Sequence, residues 1–104
     1  MSGIEGSIEQ KLAFAIRDRR RVRLIYPPGI RIVEPHCLGV GSASKFLLRA
    51  WQIIGPTSKE NVPGWKLLTV EKIEAVQDAG QSFEPRPDYV RPDAAMTVGI
   101  VIEV

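Results

Sequence analysis

Arg17, Arg19, Arg20, Arg21 and Arg23 crowd seven consecutive positions, with Asp18 the one acid among them. Guanidinium forks match phosphate oxygens two at a time and stack on base planes, so this cluster suits an anionic ligand or a nucleic acid. It reads equally as a solvated helix end, ion-paired to Glu34 and Glu9. Lys45, Leu47, Arg49 and Trp51 form a second group. Cations beside an aromatic plane are the makeup of a single-strand binding surface, where bases stack and phosphates meet cations. The alternative is that Trp51 belongs to the core and Arg49 extends along it to water.

His36, the chain's one histidine, follows a proline and reads first as a structural hydrogen-bonder, with a ligand contact as the second reading. Cys37 reads as a small core residue. In a regular strand His36 points to the opposite face from Cys37, which argues against a Cys–His nucleophile. Lys72 falls in a turn, where it pairs with Glu71 or Glu74 or faces a ligand. The chain has no Gly-rich phosphate loop followed by Lys-Ser/Thr, no prominent carboxylate pair and no Ser/His/Asp set. The expectation is therefore a protein without catalysis, cofactor or metal.

The 104 residues suit one domain with one core. Hydrophobic content of 44% and charged content of 25% are ordinary globular values. A net charge of +2 does not by itself argue for nucleic acid, so the clustering of the arginines carries that case. A single cysteine excludes an internal disulfide framework and a cysteine-based zinc site, and suits the cytoplasm. Neither a secretion signal at residues 1–10 nor an apolar run of membrane-spanning length is present.

Several elements must position these groups. Residues 1–6 read as a flexible lead. Ser7 followed by Gln10 is a capping-box pattern, predicting a helix to about Arg20 with Ile8, Leu12, Ala15 and Ile16 on its apolar stripe and Phe14 off it. Arg21–Tyr26 alternates as a strand. Pro27-Pro28-Gly29 turns it into Ile30–Glu34, a register that places Tyr26 opposite Arg31 and Arg23 opposite Glu34. Pro35 interrupts the ladder, and His36–Val40 continues after a bend. Lys45–Ile54, bounded by Gly/Ser and Gly-Pro, reads as the strand on which the others are organised. It turns Phe46, Leu48, Ala50 and Gln52 inward, and Lys45, Leu47, Arg49, Trp51 and Ile53 outward as the working surface. A loop over 55–64, a strand over 65–70, a tight turn at 71–73 and a short strand over 74–77 follow. Residues 78–93 read as irregular, pinned by Phe83 and Tyr89. Met96–Val104 is either a last strand of the same sheet or an edge that pairs with another molecule. The predicted class is mainly β with one N-terminal helix. It takes the form of a small SH3-like or Sm-like antiparallel barrel of about five strands, with a C-terminal β extension over 78–104.

Four spaced blocks resemble the WYL domain family of bacterial regulators. They are Val22-Arg23-Leu24-Ile25-Tyr26 after the Ala15-Ile16 helix end; Arg31-Ile32-Val33-Glu34-Pro35-His36; Phe46-Leu47-Leu48 with Arg49-Ala50-Trp51; and Leu68-Thr69-Val70-Glu71-Lys72-Ile73 with Val76. Together they span about residues 12–77. The namesake Trp-Tyr-Leu triplet falls on Phe46-Leu47-Leu48, without its tyrosine, and Lys72 stands where the family has arginine. The resemblance implies an Sm-like barrel that senses nucleic acid or a negatively charged small molecule, as in transcription regulators and CRISPR-related defence. The residues ahead of the first block are too few for the winged helix that usually accompanies the domain, so a stand-alone module or a fragment is expected. The combined expectation is a non-catalytic, cytoplasmic ligand-sensing module. It would bind single-stranded nucleic acid or an anionic small ligand through Arg23, Arg31, His36, Arg49, Trp51 and Lys72. The alternative is an interaction module that pairs with a second copy or a larger partner through 96–104.

Overall fold

The Ser7 hydroxyl accepts from the Gln10 N–H at 3.1 Å, and the Gln10 side chain accepts from the Ser7 N–H at 2.9 Å. Two orphan donors are thereby satisfied, and helix α1 runs over Ile8–Asp18. Leu12, Ala15 and Ile16 form its buried face. Arg19 then takes a left-handed φ of 54° and turns the chain straight into a strand. The computed structural model describes residues 6–55 and 63–104. The expected lead over 1–6 and the loop over 55–64 lie mostly outside the described residues.

Six antiparallel strands follow: β1 (Arg20–Tyr26), β2 (Gly29–Val40), β3 (Phe46–Ile54), β4 (Gly64–Thr69), β5 (Ala75–Ser82) and β6 (Gly99–Glu103). Their order is β4-β3-β2-β1-β5, with β6 attached to β2. The strand at the centre is β2 rather than β3. One edge of β2 pairs with β3, and its other edge is shared by β1 at Gly29–Val33 and β6 at Cys37–Val40. Every residue from Val33 to Gly39 is buried.

The first hairpin is tighter than expected. Tyr26 pairs with Gly29 and Arg23 with Ile32, so Pro27 and Pro28 alone make the turn. The shift is by two residues, which leaves every side chain on its expected face. Strand β2 passes through Pro35 with a bulge: Pro35 opposes Ala50 and Cys37 opposes Arg49, leaving His36 as the extra residue. Strand β5 runs past residue 77 to Ser82 along β1. Its polar sequence reflects an edge position, where no alternation is imposed.

The mainly β class with one helix is seen as an antiparallel sheet, and the sheet of the expected SH3-like or Sm-like barrel does not close on itself. Among the described residues no ladder joins β4 to β5, because a single turn of 3₁₀ helix at Val70–Lys72 stands between them. The two ends of the sheet are brought near each other, since the Tyr26 hydroxyl on β1 accepts from the Thr69 N–H at 3.2 Å.

Helix α1 covers one face of the sheet, closing a core of Leu12, Ile16, Val22, Leu24, Leu48 and Leu68 with their neighbours. Residues 83–98 fold across the opposite face, which we call the outer face. There Cys37, Tyr89 and Met96 make a second cluster with Leu47, Trp65 and Val104. Phe46, expected in the core, is 39% exposed at the start of β3. The C-terminal strand joins the chain's own sheet, with Ile102 and Val104 against the main core. No helix among the described residues is long and apolar enough to cross a membrane.

Candidate anion-binding face

Strand register sets Glu34, Trp51 and Trp65 side by side in one row on the outer face. Glu34 is only 2% exposed, and a carboxylate there is stable only with charged donors around it. It has two. Arg21 from β1 donates through Nε to Oε2 at 2.9 Å, and Arg86 from the C-terminal layer donates through Nε to Oε1 at 2.8 Å. Glu34 therefore pairs with Arg21 and Arg86 rather than with Arg23. Two guanidinium groups flank this one buried carboxylate, and Glu84, exposed on the same lining, balances the second cation. Arg86 lies 4.6 Å above the Trp51 ring, and Trp51 meets Trp65 edge-on at 5.3 Å. Arg21 also donates to the Gln81 side-chain oxygen Oε1 at 2.7 Å. A cleft of about 340 Å³ opens here, lined by Arg21, Glu34, Ser82, Phe83, Glu84, Pro85, Arg86 and Pro87. Arg86 uses Nε on Glu34, and among the described residues the terminal nitrogens of its fork are left for another acceptor.

His36 lies beside this group and is fully buried. The bulge turns it to the same face as Cys37, against the expectation that the two diverge, because the extra residue breaks the two-residue alternation. Its ring packs against Trp65, Phe83 and Tyr89 at 4.8, 5.1 and 5.3 Å. Nδ1 donates to the Glu34 carbonyl at 2.8 Å, and Nε2 accepts from the Arg86 N–H at 3.0 Å. That pair of bonds selects the neutral ring with its proton on Nδ1. Burial holds its pKa below the usual 6.5, outweighing the Glu34 contacts that favour the charged form. Burial likewise pushes the Cys37 thiol up to about 11, which makes it a core group and not a nucleophile.

The other expected ligand residues are dispersed. Arg49 is bound to Asp93 by two bonds, Nε–Oδ2 at 2.8 Å and a second nitrogen to Oδ1 at 3.3 Å. Burial alone would raise the Asp93 carboxyl, but the hydrogen bonds from Arg49 and the Ala95 N–H hold it below the ordinary range. Arg23 donates to Gln77 at 2.8 Å on the outer face. Arg31 lies opposite Leu24 on the helix side, donates to Gln52 at 2.9 Å and sits 4.9 Å from the Tyr26 ring. Its Nε is buried and makes no hydrogen bond among the described residues. Lys72 is exposed in the 3₁₀ turn, and Glu71 beside it pairs with Lys45 at 2.8 Å. Within the arginine cluster, Arg17 meets Asp18 and Arg20 meets Asp78. The outer face thus gathers Arg23, His36, Arg49 and Trp51, whereas Arg31 and Lys72 stand apart. Arg86 is the residue that sequence reasoning missed. It lies between two prolines in an unpatterned segment, and nothing local marks it. Compared with known protein families, with characterised proteins and with solved structures, the chain matches none.

Proposed function

We propose that this chain is a non-catalytic ligand-sensing module similar to WYL domains, which takes an anionic ligand on its outer face. Single-stranded nucleic acid is the first choice and an anionic small molecule the second. The observation that carries this reading is the stack of Arg86 on Trp51, with Arg86 and Arg21 sharing the buried Glu34. The Arg86 guanidinium beside an aromatic plane offers phosphate and base recognition together. Arg23 extends the charge along β1, whereas Arg49 and His36 hold the C-terminal layer in place rather than waiting for a ligand. The four sequence blocks, the single helix and the bent strand order support the Sm-like reading of the sheet. A role in transcription regulation or in phage and CRISPR-related defence belongs to the same proposal.

Fluorescence anisotropy with a labelled mixed-sequence single strand and its matching duplex, each at low and at physiological salt, tests it. The single strand should bind preferentially and weaken steeply with salt. Arg23→Gln and Trp51→Leu should each lower affinity several-fold. Salt-insensitive binding, or full affinity in both variants, would sink the reading. Binding to neither nucleic acid would move it to the small-molecule ligand.

A further inference from the structure

The C-terminal layer borders a second pocket, of about 310 Å³, on the Arg49 side of the sheet, open to solvent with Asp88 and Val90 exposed. That volume lies at the lower end of small-molecule sites, roughly 300–1,000 Å³. Trp65, Tyr89, Val90, Pro92 and Ala94 form its walls. The Tyr89 hydroxyl donates away from the cavity to Glu103 at 2.5 Å, so Tyr89 contributes its ring and not its polar end. Three charged groups complete the lining: Arg49, Asp93 and Asp88. Arg49 and Asp93 neutralise each other through their two-bond pair, and Asp93 also accepts from the Ala95 N–H at 3.0 Å. Asp88 differs. Its Oδ2 accepts from the Trp65 Nε1–H at 3.0 Å, and among the described residues it has no ion pair. The cavity therefore combines aromatic and aliphatic walls with one uncompensated carboxylate.

We propose that this cavity binds a small organic cation, an alkyl- or arylammonium. Its nitrogen would meet Asp88, and its apolar body would lie against Trp65 and Tyr89. A neutral apolar guest would cover the Asp88 carboxylate and remove its water without returning a bond. An anion would meet two carboxylates against one guanidinium. A cation gains a charge-assisted hydrogen bond to Asp88 and the attraction of the ring faces. The ligand charge is opposite to that of the Arg21–Arg86 cleft, so this site stands or falls independently of the anionic ligand.

Proton–nitrogen NMR of the whole chain gives the test, because the Trp65 Nε1–H itself touches Asp88. Trp51→Phe distinguishes the two indole signals. Benzylammonium, benzyl alcohol and benzoate serve as probes of one shape and three charges. The expected result is a saturable shift of the Trp65 signal with benzylammonium, binding about tenfold weaker with the alcohol, and none with benzoate. Asp88→Asn keeps an acceptor for the indole and removes the charge, and it should weaken benzylammonium by about tenfold. Equal binding of the alcohol or of benzoate would overturn the proposal. So would unchanged affinity in Asp88→Asn, or no saturable shift with any probe. The comparison of probes on the unmodified chain decides the matter even if Asp88→Asn disturbs the fold.

Discussion

Glu34 and Asp93 are carboxylates inside the protein, at 2% and 6% exposure, and each carries its own guanidinium partners. Burying a charge is tolerable only while its partner remains, so loss of the partner costs more than the pair contributes. Arg49→Ala should destabilise the protein by about 2–4 kcal/mol, somewhat below the figure for fully enclosed pairs because water reaches part of the Arg49 side chain. Asp93→Ala added to Arg49→Ala should restore part of that loss, which urea denaturation of the single and double variants would measure. Additive losses would place Arg49 outside any such pair. His36 sets a pH dependence of its own. Its folded pKa lies below 6.5 because burial disfavours the charged ring. As the pH falls past about 6.5, the unfolded chain takes up the proton first, so acid favours unfolding until the folded pKa is passed. The His36 contribution should be level above neutrality and fall as the pH drops below about 6.5, and that slope should vanish in His36→Gln. Asp93 adds a separate loss that begins in the ordinary carboxylate range and continues below it, since its folded pKa is depressed.

At the scale of elements, close approach of backbones is the controlling feature where β6 joins β2. A Cβ at Gly39 would come within 2.7 Å of both the Gly99 carbonyl oxygen and the Met96 Cγ. A backbone oxygen cannot swing aside as a side chain can. Gly39→Ala should therefore cost about 1–3 kcal/mol and should speed hydrogen exchange in β6 more than in β3. Equal exchange in both strands would show that the seam is not where the strain falls. Legibility in the sequence divides along the same line between local and non-local causes. The Ser7–Gln10 box and the Val22–Leu24–Tyr26 alternation act within a few residues, so α1 and β1 were readable. The His36 bulge depends on what β3 places opposite it, and the polar run of β5 is a strand only because β1 lies alongside. Neither dependence is written in a window of ten residues.

At the scale of the whole molecule, the sheet is a middle layer. Helix α1 closes one face early in the chain, and residues 83–98 close the other late in it. The late layer is held by apolar packing and by polar links from Arg86 to Glu34 and His36, from Arg49 to Asp93 and from Tyr89 to Glu103. This explains how the candidate site was partly legible. Arg21 and Trp51 sit in patterned strands whose facing follows from alternation. Arg86 reaches Glu34 across a separation of 52 residues, and only the folded chain brings it there. The outward face of β3 was readable as special, but the layer that covers half of it was not. The chain's one cysteine lies beneath this late layer, fully shielded. Cys37 is thus a built-in clock: a thiol reagent can mark it only while residues 83–98 are lifted, so the marking rate counts how often the layer opens, with no label or probe added to the protein.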